Sequence, residues 1–150
     1  TPIWSVVTKA QSEGNYQWLG KLYGYIKIGG LCILVLQLLI VPFIPWLMRV
    51  WLGAGTVDVN YTTATAFALF SSVFLYSGML STIANGLAMM RIQTITYVLV
   101  VVLKVVLLLS LYAITNWVFV VWVNTLILLP YILVQQISLN RYCKRKLTVQ

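Results

Sequence analysis

Few side chains in this sequence can take part in chemistry. The sequence has no histidine, and its only carboxylates are Glu13 and Asp58. Proton-transfer catalysis needs paired titratable groups, and a transition metal needs clustered histidine, cysteine or carboxylate ligands. Cys32 and Cys143 are expected at different depths in the fold, as two free thiols. We therefore predict that the protein is not an enzyme and has no catalytic residue, metal ion or cofactor.

One charged side chain, Lys104, lies near the centre of an apolar run that is otherwise almost all valine and leucine. A lysine at the centre of a membrane helix costs about 2.5–3.5 kcal/mol to insert. A depth of roughly 15 Å from either helix end is farther than its side chain easily reaches. We expect Lys104 to contact either an anionic ligand such as a phosphate or a carboxylate on a helix outside this chain.

Two neutral amides occupy comparable positions. Gln37 lies near the middle of another apolar run, and Asn124 lies in the outer half of a third. An amide inside a membrane helix more often bonds a neighbouring helix than a substrate. Both residues are candidate substrate-binding positions, with helix packing as the alternative.

These side chains must be positioned by four long apolar runs. The chain is 61% hydrophobic and 8% charged, and the runs extend approximately over Ile28–Met48, Thr63–Ala84, Ile95–Ile114 and Val118–Leu139. A helix of about 20 apolar residues crosses the hydrocarbon core of a bilayer. The sequence predicts an all-α integral membrane protein, with a four-helix transmembrane bundle over residues 28–139.

The charges are distributed unequally between the two predicted sides. With four spans, eight of the ten basic residues fall on one side and Arg49 falls on the other, while Lys104 lies within a span. This is the positive-inside pattern, so both ends of the segment are predicted to be cytoplasmic. The basic tail, residues 140–150, then contacts anionic headgroups and not nucleic acid.

Residues 1–27 are predicted to form a cytoplasmic interfacial segment. Trp18, Leu22 and Ile26 repeat at four-residue spacing, which is typical of an amphipathic helix at a membrane surface. The earlier residues are interpreted as the end of a preceding membrane helix. Because the sequence also begins without methionine, we expect it to be part of a longer protein.

The shape and the packing of the spans are predicted from their prolines, their small residues and the length of one turn. Pro42 and Pro45 near the end of the first run remove backbone donors, which predicts a kink or an early unwinding there. The second run is rich in alanine and serine, which favours a helix inside the bundle. The short turn around Thr115–Trp117 predicts that the third and fourth spans form an antiparallel hairpin.

Several short motifs resemble a known transporter family in their order. They are Pro2-Ile3-Trp4, Gly14-Asn15 with Trp18, Trp51-Leu52-Gly53, Asn85-Gly86 with Arg91-Ile92-Gln93, and Gln135-Gln136 before the basic tail. Together they resemble the C-terminal part of bacterial polysaccharide flippases, the O-antigen and capsule exporters. These belong to the multidrug/oligosaccharidyl-lipid/polysaccharide exporter superfamily. Asn15 departs from the family's usual aspartate, so no carboxylate role is carried over to that position.

The resemblance implies a flippase for polyprenyl-pyrophosphate-linked oligosaccharide in surface polysaccharide biosynthesis at the bacterial inner membrane. It implies most of one six-helix lobe of a two-lobe transporter, with the remaining N-terminal helices, membrane lipids and the lipid-linked oligosaccharide as partners. Lys104 would face the pyrophosphate. Arg91 would be a weaker candidate at the cytoplasmic mouth, where its alternative role is a positive-inside charge.

Other readings of the sequence stay open. A drug or cation antiporter of the same superfamily usually needs a membrane-embedded carboxylate, which none of the predicted spans contains. The same lack counts against a free-standing four-helix transporter of the small multidrug-resistance type. A non-transporting membrane assembly subunit is a further alternative, and a central lysine and broken helices count mildly against it.

Overall fold

The computed structural model describes residues 2–53, 60–111 and 116–147, and within these ranges the fold is entirely helical. The helices are α1 (Ile3–Ser12), α2 (Tyr16–Ile40), α3 (Ile44–Leu52), α4 (Tyr61–Gly86), α5 (Met90–Ser110) and α6 (Trp117–Leu147). A 3₁₀ turn over Val41–Phe43 joins α2 to α3.

Four helical segments are long and apolar enough to cross a membrane. They are Tyr16–Leu52, which comprises α2, the 3₁₀ turn and α3, together with α4, α5 and Trp117–Lys146 of α6. Their mean hydropathies lie between 1.6 and 2.5. The predictions of an all-α fold and of four membrane-crossing helices are confirmed at this level, and the helices indicate a multi-pass membrane protein.

Of the four membrane-crossing segments, α4 and α6 lie inside the bundle, whereas Tyr16–Leu52 and α5 lie on its outside. α4 packs against α6, α2 and α1, whereas α5 packs mainly on α6. Small side chains of α4, including Ala64, Ala66, Ser72 and Ala84, are buried in these contacts. The predicted inner position of the hydroxyl-rich helix is therefore confirmed. By contrast, Val100 is the only buried residue of α5.

The two ends of the bundle differ in composition. One end, called the basic end below, carries Lys27, Arg91 and the cationic last turns of α6. The opposite end carries Trp46, Trp51 and Trp117, all of which are exposed. Tryptophan at helix ends is typical of membrane interfaces, where the ring contacts the apolar layer and the N–H hydrogen-bonds to water.

The structure divides the first 27 residues differently from the sequence-based prediction. α2 runs without interruption from Tyr16 to Ile40, so Trp18 and Ile26 belong to the long helix and not to a separate one. α1 ends in a Schellman motif at Gly14, with φ 70°, because the Asn15 N–H donates to the Ala10 carbonyl at 2.9 Å. The location of these residues at a membrane surface stays a prediction.

The other helix bounds also shift. The predicted unwinding is present, because the chain leaves α-helical geometry over Val41–Phe43 before α3 begins. The predicted basic tail continues α6 as far as Leu147, and residues 148–150 lie outside the described ranges. Part of the predicted turn between the third and fourth spans, residues 112–115, also lies outside them.

A second Schellman motif ends α4, and here an alanine occupies the left-handed position. Ala88 has φ 57°, while the Met89 N–H donates to the Ala84 carbonyl at 2.8 Å. The left-handed region costs roughly 1–2 kcal/mol for a residue with a Cβ atom and very little for glycine.

Replacement of this alanine should therefore stabilise the fold. We expect Ala88→Gly to raise the free energy of unfolding by about 1 kcal/mol, measured by denaturation in mixed micelles. Ala84→Gly is the control, because Ala84 is helical and buried and its loss should destabilise. A lower stability for Ala88→Gly would contradict the assignment of strain to this turn.

Candidate functional site

Three helices present polar and aromatic side chains along one face each. Spacings of three, four or seven residues place side chains on a common helix face. On α4 these are Phe70, Phe74, Ser77 and Ser81, on α5 they are Gln93, Tyr97 and Lys104, and on α6 they are Asn124 and Tyr131. The three faces converge because α4 and α5 both pack against α6.

Between these faces lie two adjoining cavities, which together we call the α4–α5–α6 cleft. The cavity nearer the basic end has a volume of about 420 Å³, and the other has a volume of about 180 Å³. Phe74 and Tyr97 line both, so the two cavities meet at these rings. The cleft therefore extends from Gln93 near the start of α5 to Lys104 near its end.

The larger cavity offers hydrogen-bonding groups and aromatic faces. The Gln93 amide nitrogen donates to the Ser81 hydroxyl, while Gln93 Oε1 is buried and has no partner among the described residues. Tyr97 and Tyr131 pack edge to face, with ring centroids 5.4 Å apart. A buried acceptor without a donor is costly, so a hydroxyl-bearing ligand or water would be bound favourably here.

The smaller cavity brings together two of the predicted site residues, Lys104 and Asn124. Lys104 is partly buried and lines the cavity together with Phe70, Tyr97 and Val101. The cavity lining contains no carboxylate. The arrangement can therefore bind an anion with one ammonium and one amide, in surroundings apolar enough to strengthen the attraction.

The depth of Lys104 differs from the prediction. α5 begins at Met90 and ends at Ser110, so Lys104 lies six residues before the end of the helix and not at its centre. This separation is about 9 Å along the axis, toward the opposite end of the bundle. The prediction of a central position was wrong because the apolar run was taken to extend over Ile95–Ile114, whereas α5 extends over Met90–Ser110.

Gln37 lies apart from the cleft. Its Oε1 accepts hydrogen bonds from the hydroxyls of Ser71, at 2.9 Å, and Ser72. The amide lines a different cavity, of about 250 Å³, between the end of α2 and α4. These contacts are those of a residue that joins two helices, which is the alternative role considered for it above.

Arg91 is also separate from Lys104. It lies in the first turn of α5 at the basic end, where its side chain is exposed. It lines neither of the two cavities of the cleft. Its position agrees with a charge that orients the chain, and the structure does not place it with the other site residues.

The two amides should respond differently to substitution. We expect Gln37→Leu to lower the free energy of unfolding by about 1 kcal/mol, because it removes hydrogen bonds between α2 and α4. Asn124→Leu should leave stability nearly unchanged and weaken binding of an anionic ligand. Unfolding in mixed micelles and ligand binding measured on both variants would test this, and the reverse assignment would contradict it.

Most residues of the cleft were not identified as candidates from the sequence, among them Ser81, Gln93, Tyr97 and Tyr131. The spacing of Gln93, Tyr97 and Lys104 on one helix face was a usable signal. The pairing of Tyr97 with Tyr131 had no such signal, because it depends on which faces of α5 and α6 meet.

Comparisons with protein-family models, curated proteins and solved structures returned no match. The class of the chain is therefore defined by its own features. It is a multi-pass helical membrane protein with a polar and aromatic cleft between three of its helices.

Proposed function

We propose that this chain is part of a flippase that moves polyprenyl-pyrophosphate-linked oligosaccharide across the bacterial inner membrane for surface polysaccharide biosynthesis. The observation that carries the proposal is the position of Lys104 on the wall of a cleft that also contains Asn124. A lysine in an apolar span is retained at a cost, and an anionic cargo is a physical reason to retain it.

The two parts of the cleft suit the two parts of such a substrate. Sugar hydroxyls can donate to the unpartnered Gln93 Oε1 and bond with Thr94, and a sugar ring can pack on the exposed Tyr97. A phosphate oxygen can accept a charge-assisted hydrogen bond from Lys104. The lipid tail would remain in the bilayer beside the exposed apolar surface of α5.

The orientation and partners form part of the same proposal. The concentration of basic residues at one end supports a cytoplasmic location for that end, with Arg49 on the other side. Further helices of the transporter would complete the cavity around the cleft. The exposed valines and leucines of α5, including Leu99, Val102 and Val105, would face either lipid or those helices.

A drug or cation antiporter fits the cleft less well. Such a carrier binds cations, and the charged residue on the wall of this cleft is itself a cation. Among the described residues, the only carboxylate is Glu13, which follows α1 at the basic end and lies 3.8 Å from Lys9. Like charges repel in an apolar cavity, so Lys104 disfavours a positively charged drug.

The proposal is tested with the complete gene product in vesicles. A fluorescent oligosaccharide on a polyprenyl pyrophosphate is placed in the outer leaflet, and its loss of accessibility to a membrane-impermeant quencher is followed. We expect movement of this lipid, but no movement of a lipophilic cation in the same vesicles. Transport of the cation without the saccharide lipid would overturn the proposal in favour of an antiporter, and transport of neither would favour an assembly subunit.

A further inference from the structure

A second groove, separate from the α4–α5–α6 cleft, lies between α2 and α6 and has α4 as its floor. Its volume is about 350 Å³. Its lining includes Gly30, Leu31 and Leu34 of α2, Tyr76 of α4, and Leu129 and Ile132 of α6. A Cβ atom on Gly30 would overlap the Tyr76 ring, so the absence of a side chain there allows the ring to lie against α2. Leu31 and Leu129 are exposed, so the groove is open along its side.

Polar contacts between α2 and α6 lie at the basic end of the groove. The Tyr23 hydroxyl donates to the Gln136 carbonyl at 3.3 Å, and Lys27 Nζ donates to Asn140 Oδ1 at 3.4 Å. The Lys27 ammonium also lies 4.2 Å from the centroid of the Tyr23 ring. These contacts hold a lysine at the mouth of an otherwise apolar groove.

The charge of Lys27 has no anionic partner in the part of the chain that the structure describes. Glu13, the only carboxylate there, forms its contact with Lys9. The remaining lining of the groove is apolar or neutral. A ligand that matches this surface has one negative group at the basic end and a hydrocarbon chain beyond it.

We propose that this groove binds an anionic glycerophospholipid, with its phosphate at Lys27 and one acyl chain along Leu31, Leu34 and Ile132. Basic pockets between membrane helices are known to bind anionic headgroups. A second copy of the chain is a poorer occupant, because it has only two carboxylates with which to neutralise Lys27. Free phosphate would leave the apolar walls uncovered.

The charge part of the proposal is tested by native mass spectrometry of the full chain in detergent with added phosphatidylglycerol or phosphatidylcholine. We expect retention of one phosphatidylglycerol by the unmodified protein, and about fivefold weaker retention by Lys27→Gln. Lys21→Gln is the matched control, since Lys21 is an exposed lysine of α2 that does not line the groove. Equal loss in both variants, or none in Lys27→Gln, would overturn the proposal.

The acyl-chain part has its own variant. Leu34→Trp should fill the groove and reduce retention of phosphatidylglycerol without a change of charge, while Leu38→Trp, outside the groove, should not. Circular dichroism of both proteins verifies that the helices are intact. Unchanged retention by an intact Leu34→Trp protein would overturn the proposal, as would displacement of the lipid by a dimer that buries Lys27.

Discussion

Replacement of Lys104 by glutamine should reduce transport of the lipid-linked oligosaccharide by a factor of ten or more. The change removes the one ammonium from the wall of the smaller cavity and leaves a side chain of similar length. A hydrogen bond to a charged group contributes about 1.5–3 kcal/mol, which corresponds to a factor of roughly 10 to 100. The initial rate of saccharide movement in vesicles measures the effect.

Two further variants separate this role from general effects of charge. Lys104→Arg should retain most of the activity, because a guanidinium also pairs with phosphate. Arg91→Gln removes a charge from the same helix outside the cleft, and we expect a change of no more than about twofold. Full activity of Lys104→Gln, or an equal loss in Arg91→Gln, would remove Lys104 from the proposed path.

Replacement of Gly86 by alanine should destabilise the protein by about 2 kcal/mol. A Cβ atom at this position would lie 2.7 Å from the Trp4 carbonyl oxygen and 2.7 Å from Val7 Cβ. Val7 is fully buried, and the Thr8 hydroxyl donates to the Gly86 carbonyl at 2.9 Å. The added methyl group would therefore push α1 away from the end of α4. Denaturation in mixed micelles measures the loss, and proteolysis of α1 should accelerate with it.

Gly78 provides the matched control for this substitution. It lies two turns earlier in α4, and a Cβ atom there meets no heavy atom within 4 Å. We expect Gly78→Ala to be neutral or slightly stabilising, because alanine is the better helix former. Equal destabilisation by the two substitutions would show that backbone flexibility of α4 matters more than its contact with α1.

The sequence predicted the number and character of the helices, but not their bounds. Four apolar runs were sufficient to predict four spans, because the bilayer sets their length. Apolar runs do not determine the residue at which a helix begins, because capping residues and turn geometry fix that residue. Asn15 illustrates this, because its side chain accepts a hydrogen bond from the Trp18 N–H and starts α2 well before the apolar run.

The capping contact of Asn15 can be made by either of two residue types. Aspartate and asparagine are about equally good at the N-terminal cap, since each supplies a side-chain oxygen. Asn15 therefore retains the role that aspartate could have at this position. The start of α2 does not require a carboxylate.

The cleft was predicted only in part, because it depends on which helix faces meet. Lys104 and Asn124 were both candidates from their unusual polarity, and the antiparallel packing of α5 and α6 brings them to one cavity. Gln37 has equal polarity but bonds two serines of α4 instead. Sequence alone does not separate these outcomes, since each needs a tertiary partner.

The central claim is that the α4–α5–α6 cleft is accessible to water and binds the saccharide lipid. Cysteine labelling tests it most directly, in a full-length protein with Cys32 and Cys143 replaced by serine. Thr94→Cys and Asn124→Cys lie in the cleft, and Leu99→Cys and Leu126→Cys lie on exposed apolar surfaces of the same two helices.

We predict that a membrane-impermeant thiol reagent labels the two cleft positions, and that the lipid-linked oligosaccharide slows this labelling. The two positions on the apolar surfaces should not react. Cleft cysteines that are as unreactive as those at 99 and 126, or labelling that the saccharide lipid does not alter, would contradict the claim.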